Sequence, residues 1–462
     1  MVLVNDVQSR LNEVMVREVI RPSDIGEAAA IIREAASNHR QISIAGSRHA
    51  MGGQQFGSGT TCIDTLGLDR VINLDPVNST VEVEAGITWT SLVSWLQANQ
   101  DENEDMLTII QKQTGADELT IGGSVSSNVH GRGLIYQPIV QDIEAFTLID
   151  PRGQIIRCDR AENRELFNLV VGGYGLAGLI ATVTLRLGRR QKLVRDVQVA
   201  DIDEVIPALE KRIDEGHLYG DFQYMTDESS DDFLRKGILS SYYPVGFSTP
   251  MLQDNVGLSQ ENWMNLYYLA HTDKKQAYEL YLKHYTETSG QVYWSDNHQF
   301  SPYMSNAGDL LHEKLKAETF GSLMITELYV PRHFFTAFME SVRRNLSMLR
   351  ANVVYGTVRL VKKEEETVLR WAVDDYACII FNLRVIHTDK GIAQAQGQFR
   401  MLIDQALSFG GRYYLTYHRW ARKDQVLSAY PQMTTFLEQK LDLDPDEIFQ
   451  SDWYRHYRAL LG

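Results

Sequence analysis

His49 stands in the run Ile44-Ala45-Gly46-Ser47-Arg48-His49-Ala50-Met51-Gly52-Gly53, straight after the apolar stretch Ile42-Ser43-Ile44. Glycines in such a turn let the backbone approach a ligand closely and present its N–H groups, which can cradle a pyrophosphate without a large basic patch. A neutral imidazole nitrogen beside that ligand is a competent nucleophile near neutral pH. Two more glycine-rich segments follow: Thr120-Ile121-Gly122-Gly123-Ser124-Val125-Ser126-Ser127-Asn128-Val129-His130-Gly131-Arg132-Gly133, and Val171-Gly172-Gly173-Tyr174-Gly175-Leu176-Ala177-Gly178-Leu179-Ile180. Each alone marks an ordinary turn. All three in this order form a specific constellation.

Gly173-Tyr174-Gly175-Leu176-Ala177-Gly178 also fits the G-x-G-x-x-G pattern of dinucleotide-binding βαβ units. That motif has to open a helix whose N-terminus faces the phosphates. Here the residues that follow, Leu179 to Leu185, are rich in β-branched types and read as a strand. Those before it, 165–170, read as a helix. The context test fails.

The elements that position these segments are short and mixed. Residues 22–38 read as a helix capped by Asp24 with Glu27 three places on, and Ile25, Ala28, Ala29, Ile32 and Ala35 make one apolar stripe. A strand at 41–44 delivers the His49 loop. Strand-like runs follow at 61–63, 71–74 and 80–84, and Thr88 then caps a helix carrying Trp89, Leu92, Val93 and Leu96. Residues 143–149 and 154–157 flank the hairpin signal Asp150-Pro151-Arg152-Gly153. A strand at 181–187 ends at the basic Gly188-Arg189-Arg190-Gln191-Lys192, where a first domain, 1–190, is expected to close. Residues 191–410 alternate amphipathic helices (202–215, 333–349, 393–409) with aromatic-rich strands such as Phe222-Gln223-Tyr224. They read as a second α+β domain with its sheet covered by helices on one side. Residues 411–462 form a C-terminal return.

Composition narrows the task. Of 462 residues, 44% are apolar and 23% charged, as in folded globular proteins, and the length calls for more than one core. The net charge of −15 argues against nucleic-acid binding, which needs a basic footprint. Cys62, Cys158 and Cys378 have no paired spacing, and the histidines show no ligand spacing, so neither a disulfide framework nor a metal site is expected. The N-terminus shows no secretory signal and no apolar stretch reaches about 18 residues, so a cytoplasmic protein without a membrane span is expected.

The three segments resemble those of the vanillyl-alcohol oxidase flavoproteins, also called the para-cresol methylhydroxylase type, over about residues 15–190 and more faintly over about 355–460. The likeness is nearest to the sugar- and alditol-oxidising branch. It implies an α+β fold: a two-subdomain FAD-binding domain followed by an α+β substrate domain with an antiparallel sheet. It also implies that FAD is held by Ile44, Ala45, Gly46, Ser47, Arg48, His49, Ala50, Met51 and Gly52 at the first segment. The second wall would be Thr120, Gly122, Gly123, Ser124 and Ser127, with Asn128, Val129, His130 and Gly131 at the polar edge of the ring. Gly175, Gly178 and Ile180 would complete the site, with Tyr417 beside the flavin. His49 falls on the histidine of the family's Gly-Arg-Gly-His-Ser pattern, which in many members is bonded to the flavin's 8α-methyl carbon. One covalent link is therefore expected. Arg48 and Ala50 depart from that pattern, where Gly and Ser are usual, and no cysteine near the second segment offers another link.

On the substrate side, Tyr414-Leu415-Thr416-Tyr417 falls where one sugar-oxidising branch carries Tyr-Leu-Ala-Lys, so its lysine is replaced by Tyr417. Cys378-Ile379-Ile380-Phe381-Asn382 resembles a pocket strand, and Arg359 falls on a pocket arginine. A strand through 414–418 would leave Tyr417 and His418 as rival bases on opposite faces, with the likeness favouring Tyr417, and Arg359 and Arg132 as donors to hydroxyl or anionic groups. The function implied is oxidation of a CH–OH group in a sugar, alditol or sugar lactone by hydride transfer to FAD, with O2 or another acceptor taking the electrons. The alternatives are an aromatic alcohol, hydroxy acid or amine as substrate, or a flavoprotein subunit without catalysis.

Overall fold

In the computed structural model, residues 1–251, 257–301, 307–349 and 351–462 are described. Its first helix, Ile25–Ser37, starts at Asp24, whose carboxylate accepts from the Glu27 N–H, and it buries Ala28, Ala29, Ile32 and Ala35. That stripe packs on Ile42 and Ile63 of a small parallel sheet ordered Glu18–Ile20, Thr61–Asp64, Ile42–Ala45. The His49 loop leaves the end of its edge strand.

The second sheet is antiparallel and six-stranded. Its order is Ile155–Asp159, Ile143–Ile149, Leu179–Arg189, Thr80–Glu84, Val71–Asp75, with Leu107–Ile109 pairing the far end of Leu179–Arg189. The expected hairpin at 150–153 joins the first two. Thr88 accepts from the Ser91 N–H and caps Trp89–Ala98. The glycine-rich second segment, read from sequence only as a wall, opens as a helix, Ile121–Ser127, capped by Thr120. The third segment lies between a helix, Arg164–Val170, and the strand Leu179–Arg189, so its G-x-G-x-x-G glycines open no helix.

The third sheet has eight strands in the order Val292–Trp294, Lys192–Asp201, Lys236–Val245, Tyr219–Tyr224, Val353–Val361, Tyr376–Ile386, Gly321–Pro331, Arg412–Tyr413, all neighbours antiparallel. Helices Ile202–Asp214, Phe335–Met348 and Asp389–Ser408 pack on one of its faces. The other face lines a cavity roofed by a helical hairpin, Gln260–Thr272 and Lys274–Glu287. After Tyr413 the chain turns instead of continuing the strand expected through 414–418. The tail then returns to the first sheet, where the Ile42 N–H donates to Ile448 O and the Gln450 N–H to Ile42 O.

Candidate active site

The cavity, about 820 Å³ in volume, runs from the three glycine segments to the open face of the large sheet. At its first end the His49 loop touches the capped helix: a Cβ on Gly46 would lie 2.3 Å from Thr120 Oγ1, so only glycine lets the two segments close. Arg48 takes a left-handed conformation, φ 63°, so the residue that departs from the family pattern still makes a glycine-like turn. Its carbonyl accepts from the Val7 N–H at 3.0 Å and its guanidinium lies 3.6 Å from Asp64. His49 lines the cavity with Nδ1 3.1 Å from Ser47 Oγ, and burial pushes its pKa down, leaving a neutral imidazole at neutral pH.

Ile44, Gly46, Ser47, Arg48, Ala50 and Met51 line this end, as do Thr120, Gly122, Gly123, Ser127 and Val129, and Gly175, Gly178 and Ile180 close it. Six residues assigned to the cofactor from the sequence, Ala45, Gly52, Ser124, Asn128, His130 and Gly131, do not reach the cavity. Ala45 is buried in its strand, and the Gly52 N–H is bonded to Gln54. Ser124 bonds Trp89 Nε1 at 2.9 Å and the Thr120 carbonyl, because the segment is helical and this position faces the core. Asn128 is the left-handed C-cap and its side chain accepts from Val140 N–H. Gly131 packs on the Lys112 carbonyl, and its own carbonyl accepts from His130.

The far end is a hydrogen-bonded relay that turns on a residue the sequence reading missed. Glu327, fully buried on Gly321–Pro331, accepts from His130 Nε2 at 2.6 Å, from the Tyr329 O–H at 2.5 Å and from the Tyr417 O–H at 3.2 Å. His130 Nδ1 lies 2.9 Å from the Gly131 carbonyl, which fixes the ring against Glu327. Burial pushes the Glu327 carboxyl up, but His130, the Tyr329 hydroxyl and Arg359 outweigh it and hold the group below its usual range. Tyr417 stands between Glu327 and the cavity, its hydroxyl also accepting from Gln113 Nε2 at 3.1 Å. Burial, then the Glu327 charge, push the Tyr417 phenol well up, so it is a protonated link in the relay and not a standing phenolate. The legible signal was a lone carboxylate inside the apolar run Leu323–Val330, which burial allows only with partners.

His418 is excluded from this group. Its ring lies between Phe399, Tyr413 and Trp420, Nε2 is 3.4 Å from Thr326 Oγ1, and burial pushes its pKa down to about 3. It does not line the cavity. Because the chain turns after Tyr413, strand alternation does not decide which of the two side chains faces inward. Cys378 also stays behind the wall, 3.6 Å from His130 Nε2, while Ile380 and Asn382 of the same strand line the cavity.

Arg359, Thr357, Asp221 and Gln223 lie on adjacent strands. The Phe222–Val358 pairing sets Asp221 opposite Arg359 and Gln223 opposite Thr357 on the cavity face. All four are buried, and Arg359 Nε and Nη1, Thr357 Oγ1, Asp221 Oδ1 and Gln223 Oε1 have no hydrogen-bond partner among the described residues. Arg132 is buried too, its Nη1 3.5 Å from Asp221 and its Nε without a partner there. Clustered on one cavity wall, these groups are placed to take up the hydrogen bonds of a polar ligand.

Residues 16–159 match the model of an FAD-binding domain. The chain is 28% identical over 197 residues to mitochondrial L-galactono-1,4-lactone dehydrogenase of Brassica oleracea, covering 43% of this chain and 32% of that protein. It is 23% identical over 205 residues to L-gulonolactone oxidase of Mus musculus, covering 43% of each. The chain therefore aligns with well under half the length of these relatives. The matches bear out the flavoprotein resemblance and the α+β FAD-binding fold. FAD is the cofactor of this domain, and the glycine cradle with its close Gly46–Thr120 contact fits such a ligand. No helix of the described residues is long and apolar enough to cross a membrane.

Proposed function

We propose, from the FAD-binding domain over residues 16–159, that the protein oxidises a CH–OH group of a sugar, alditol or sugar lactone. The observation that carries this reading is the row of buried, unpartnered polar groups, Arg359, Thr357, Asp221 and Gln223, beside the Tyr417–Glu327 relay. A polyhydroxylated substrate satisfies such a row, and rigid seating of its hydroxyls aligns the reacting carbon. FAD, when bound, supplies the hydride acceptor. The protein's part is the proton: the substrate hydroxyl gives it to Tyr417 Oη as Tyr417 passes its own to Glu327 Oε2, with Gln113 fixing the phenol and His130 bonding the carboxylate. Arg359 stabilises the oxygen as charge develops on it.

The loop around His49 would hold the pyrophosphate side, and the neutral His49 imidazole would carry a single covalent link to the flavin. Residues 1–190 would be the FAD-binding domain, 191–410 the substrate domain and 411–462 the return. O2 or another acceptor would reoxidise the cofactor. The aromatic inner face of the roof, with Trp263, Tyr267 and Tyr281, favours as a second reading an alcohol with an aromatic part. Anaerobic mixing of the FAD-loaded protein with sugars, alditols and sugar lactones should bleach the visible flavin bands. Tyr417→Phe should slow that step about 10²–10⁴-fold with little change in binding. Bleaching by an aromatic alcohol or an amine, and by no polyol, would overturn the substrate class.

A further inference from the structure

The end of the cavity beyond Arg359 has a chemistry that proton removal does not use. Tyr242 anchors it: Arg132 Cζ lies 5.0 Å from its ring centroid, Arg195 Cζ 5.3 Å, and the His298 ring 4.6 Å. His298 is buried, lines the cavity, and neither ring nitrogen has a hydrogen-bond partner among the described residues. Burial, then the charges of Arg132, Arg195 and Lys112, hold it neutral. It therefore offers one N–H donor and one acceptor.

The charges do not balance at this wall. Arg132, Arg195 and Arg359 are each more than nine-tenths buried and all line the cavity. Asp221 lies 3.5 Å from Arg132, and Glu327, on which Arg359 acts, is already bonded to His130, Tyr329 and Tyr417. Lys112 is closed in its own 2.5 Å pair with Asp117. Arg195 spends its bonds on neutral hydroxyls, Nε on Tyr242 at 2.9 Å and Nη1 on Thr288 at 2.8 Å. A guanidinium stays charged at any pH the protein meets, so a buried surplus of cations calls for an anion from outside. This surplus lies inside a chain whose net charge is −15, so it is a local feature and not a sign of general basicity.

The geometry points to a second polar subsite, built from Arg132, Asp221 and His298 with Arg195 behind them, that binds an acidic group of the substrate, a carboxylate or a phosphate. The inference rests on the reading of this cavity as a sugar-oxidising site. It narrows that reading to acidic sugars. Arg132 Nε and the His298 N–H would donate to the anion, and Asp221 Oδ1 would accept from a neighbouring hydroxyl. Because Arg359 lies opposite Asp221 and also acts on Glu327 and Tyr417, the acidic group and the reacting hydroxyl would flank it.

The test is a binding measurement on the FAD-loaded protein: calorimetric titration with glucose, glucuronate and glucose 6-phosphate. One or both acidic sugars should bind about ten- to a hundredfold more tightly than glucose, the yield of charge-assisted hydrogen bonds replacing neutral ones. Which one does identifies carboxylate or phosphate as the group recognised. Arg132→Gln should abolish most of the preference, and His298→Phe should reduce it. Equal binding of all three sugars by the unaltered protein overturns the subsite whether or not the variants fold, as does a preference that survives in Arg132→Gln. Acidic sugars that bind tightly yet never bleach the flavin leave the subsite standing and sink the oxidation reading. A neutral sugar that bleaches it, with no acidic preference in binding, does the reverse.

Discussion

Replacing Glu327 with glutamine removes one charge from the centre of the relay and changes almost nothing in shape. The carboxylate accepts three hydrogen bonds, at 2.6, 2.5 and 3.2 Å, from groups that are themselves buried. Hydrogen bonds to a charged acceptor contribute about 1.5–3 kcal/mol each and neutral ones about 0.5–1.5, so the substitution weakens each by roughly 1 kcal/mol. An amide also offers a single oxygen, and its NH2 would face a hydroxyl or ring N–H that wants an acceptor. Relief from burying a charge offsets part of this, and a net loss of about 3 kcal/mol is expected, the lower end for breaking a buried pair. The sign with pH is fixed by the lowered carboxyl pKa. The contribution is fully present above the ordinary value of 4.5 and fades as the pH falls through the lower folded value, so the gap between wild type and Glu327→Gln should be widest at pH 7 and shrink in acid. Urea unfolding at several pH values reads this directly. Stopped-flow reduction of the flavin by whichever sugar bleaches it should slow about 10²–10⁴-fold. Since Glu327 and Tyr417 act on one proton, the double variant Glu327→Gln, Tyr417→Phe should be hardly slower than either single variant. A Glu327→Gln protein that is as stable as wild type and reduced at the same rate would refute the relay.

His49→Ala should abolish flavin fluorescence from the denatured protein on a gel while leaving FAD bound before denaturation; release of all flavin from the wild type by acid precipitation would argue against a covalent link. Burial pushes His418 down to about 3, so below pH 6.5 the unfolded imidazole takes a proton that the folded one refuses. That costs roughly 2 kcal/mol of stability by pH 5, fully recovered above pH 6.5, and His418→Phe should remove this part of the acid slope in urea unfolding. Gly122→Val should lower stability and FAD content together, because even a Cβ would lie 2.8 Å from the Ala85 Cβ and 3.0 Å from its carbonyl; unchanged flavin absorbance per mole of protein would contradict the close packing of this helix on Ala85.

Local chemistry written in the chain was enough for much of the first half of the molecule. Asp24 and Thr88 announce their helices because a cap needs only its own neighbours, and Asp150-Pro151-Arg152-Gly153 makes its hairpin for the same reason. The glycine run 46–53 likewise marked one wall of the cavity, and the strand-forming residues after Gly178 dismissed the dinucleotide motif. What sequence spacing could not carry was anything decided across strands. Asp221 meets Arg359, and Glu327 meets both His130 and Tyr417, only because distant segments pair in one register or fold over one sheet. The choice between Tyr417 and His418 belonged to the turn after Tyr413, which points one side chain at the cavity and leaves the other stacked against Phe399. Ser124 and Asn128 were misplaced because small residues at a helix read, in one dimension, the same as small residues at a wall. Propensity and capping act over a few residues, whereas the orientation of a buried polar side chain is set by whichever partners tertiary packing brings within about 3 Å.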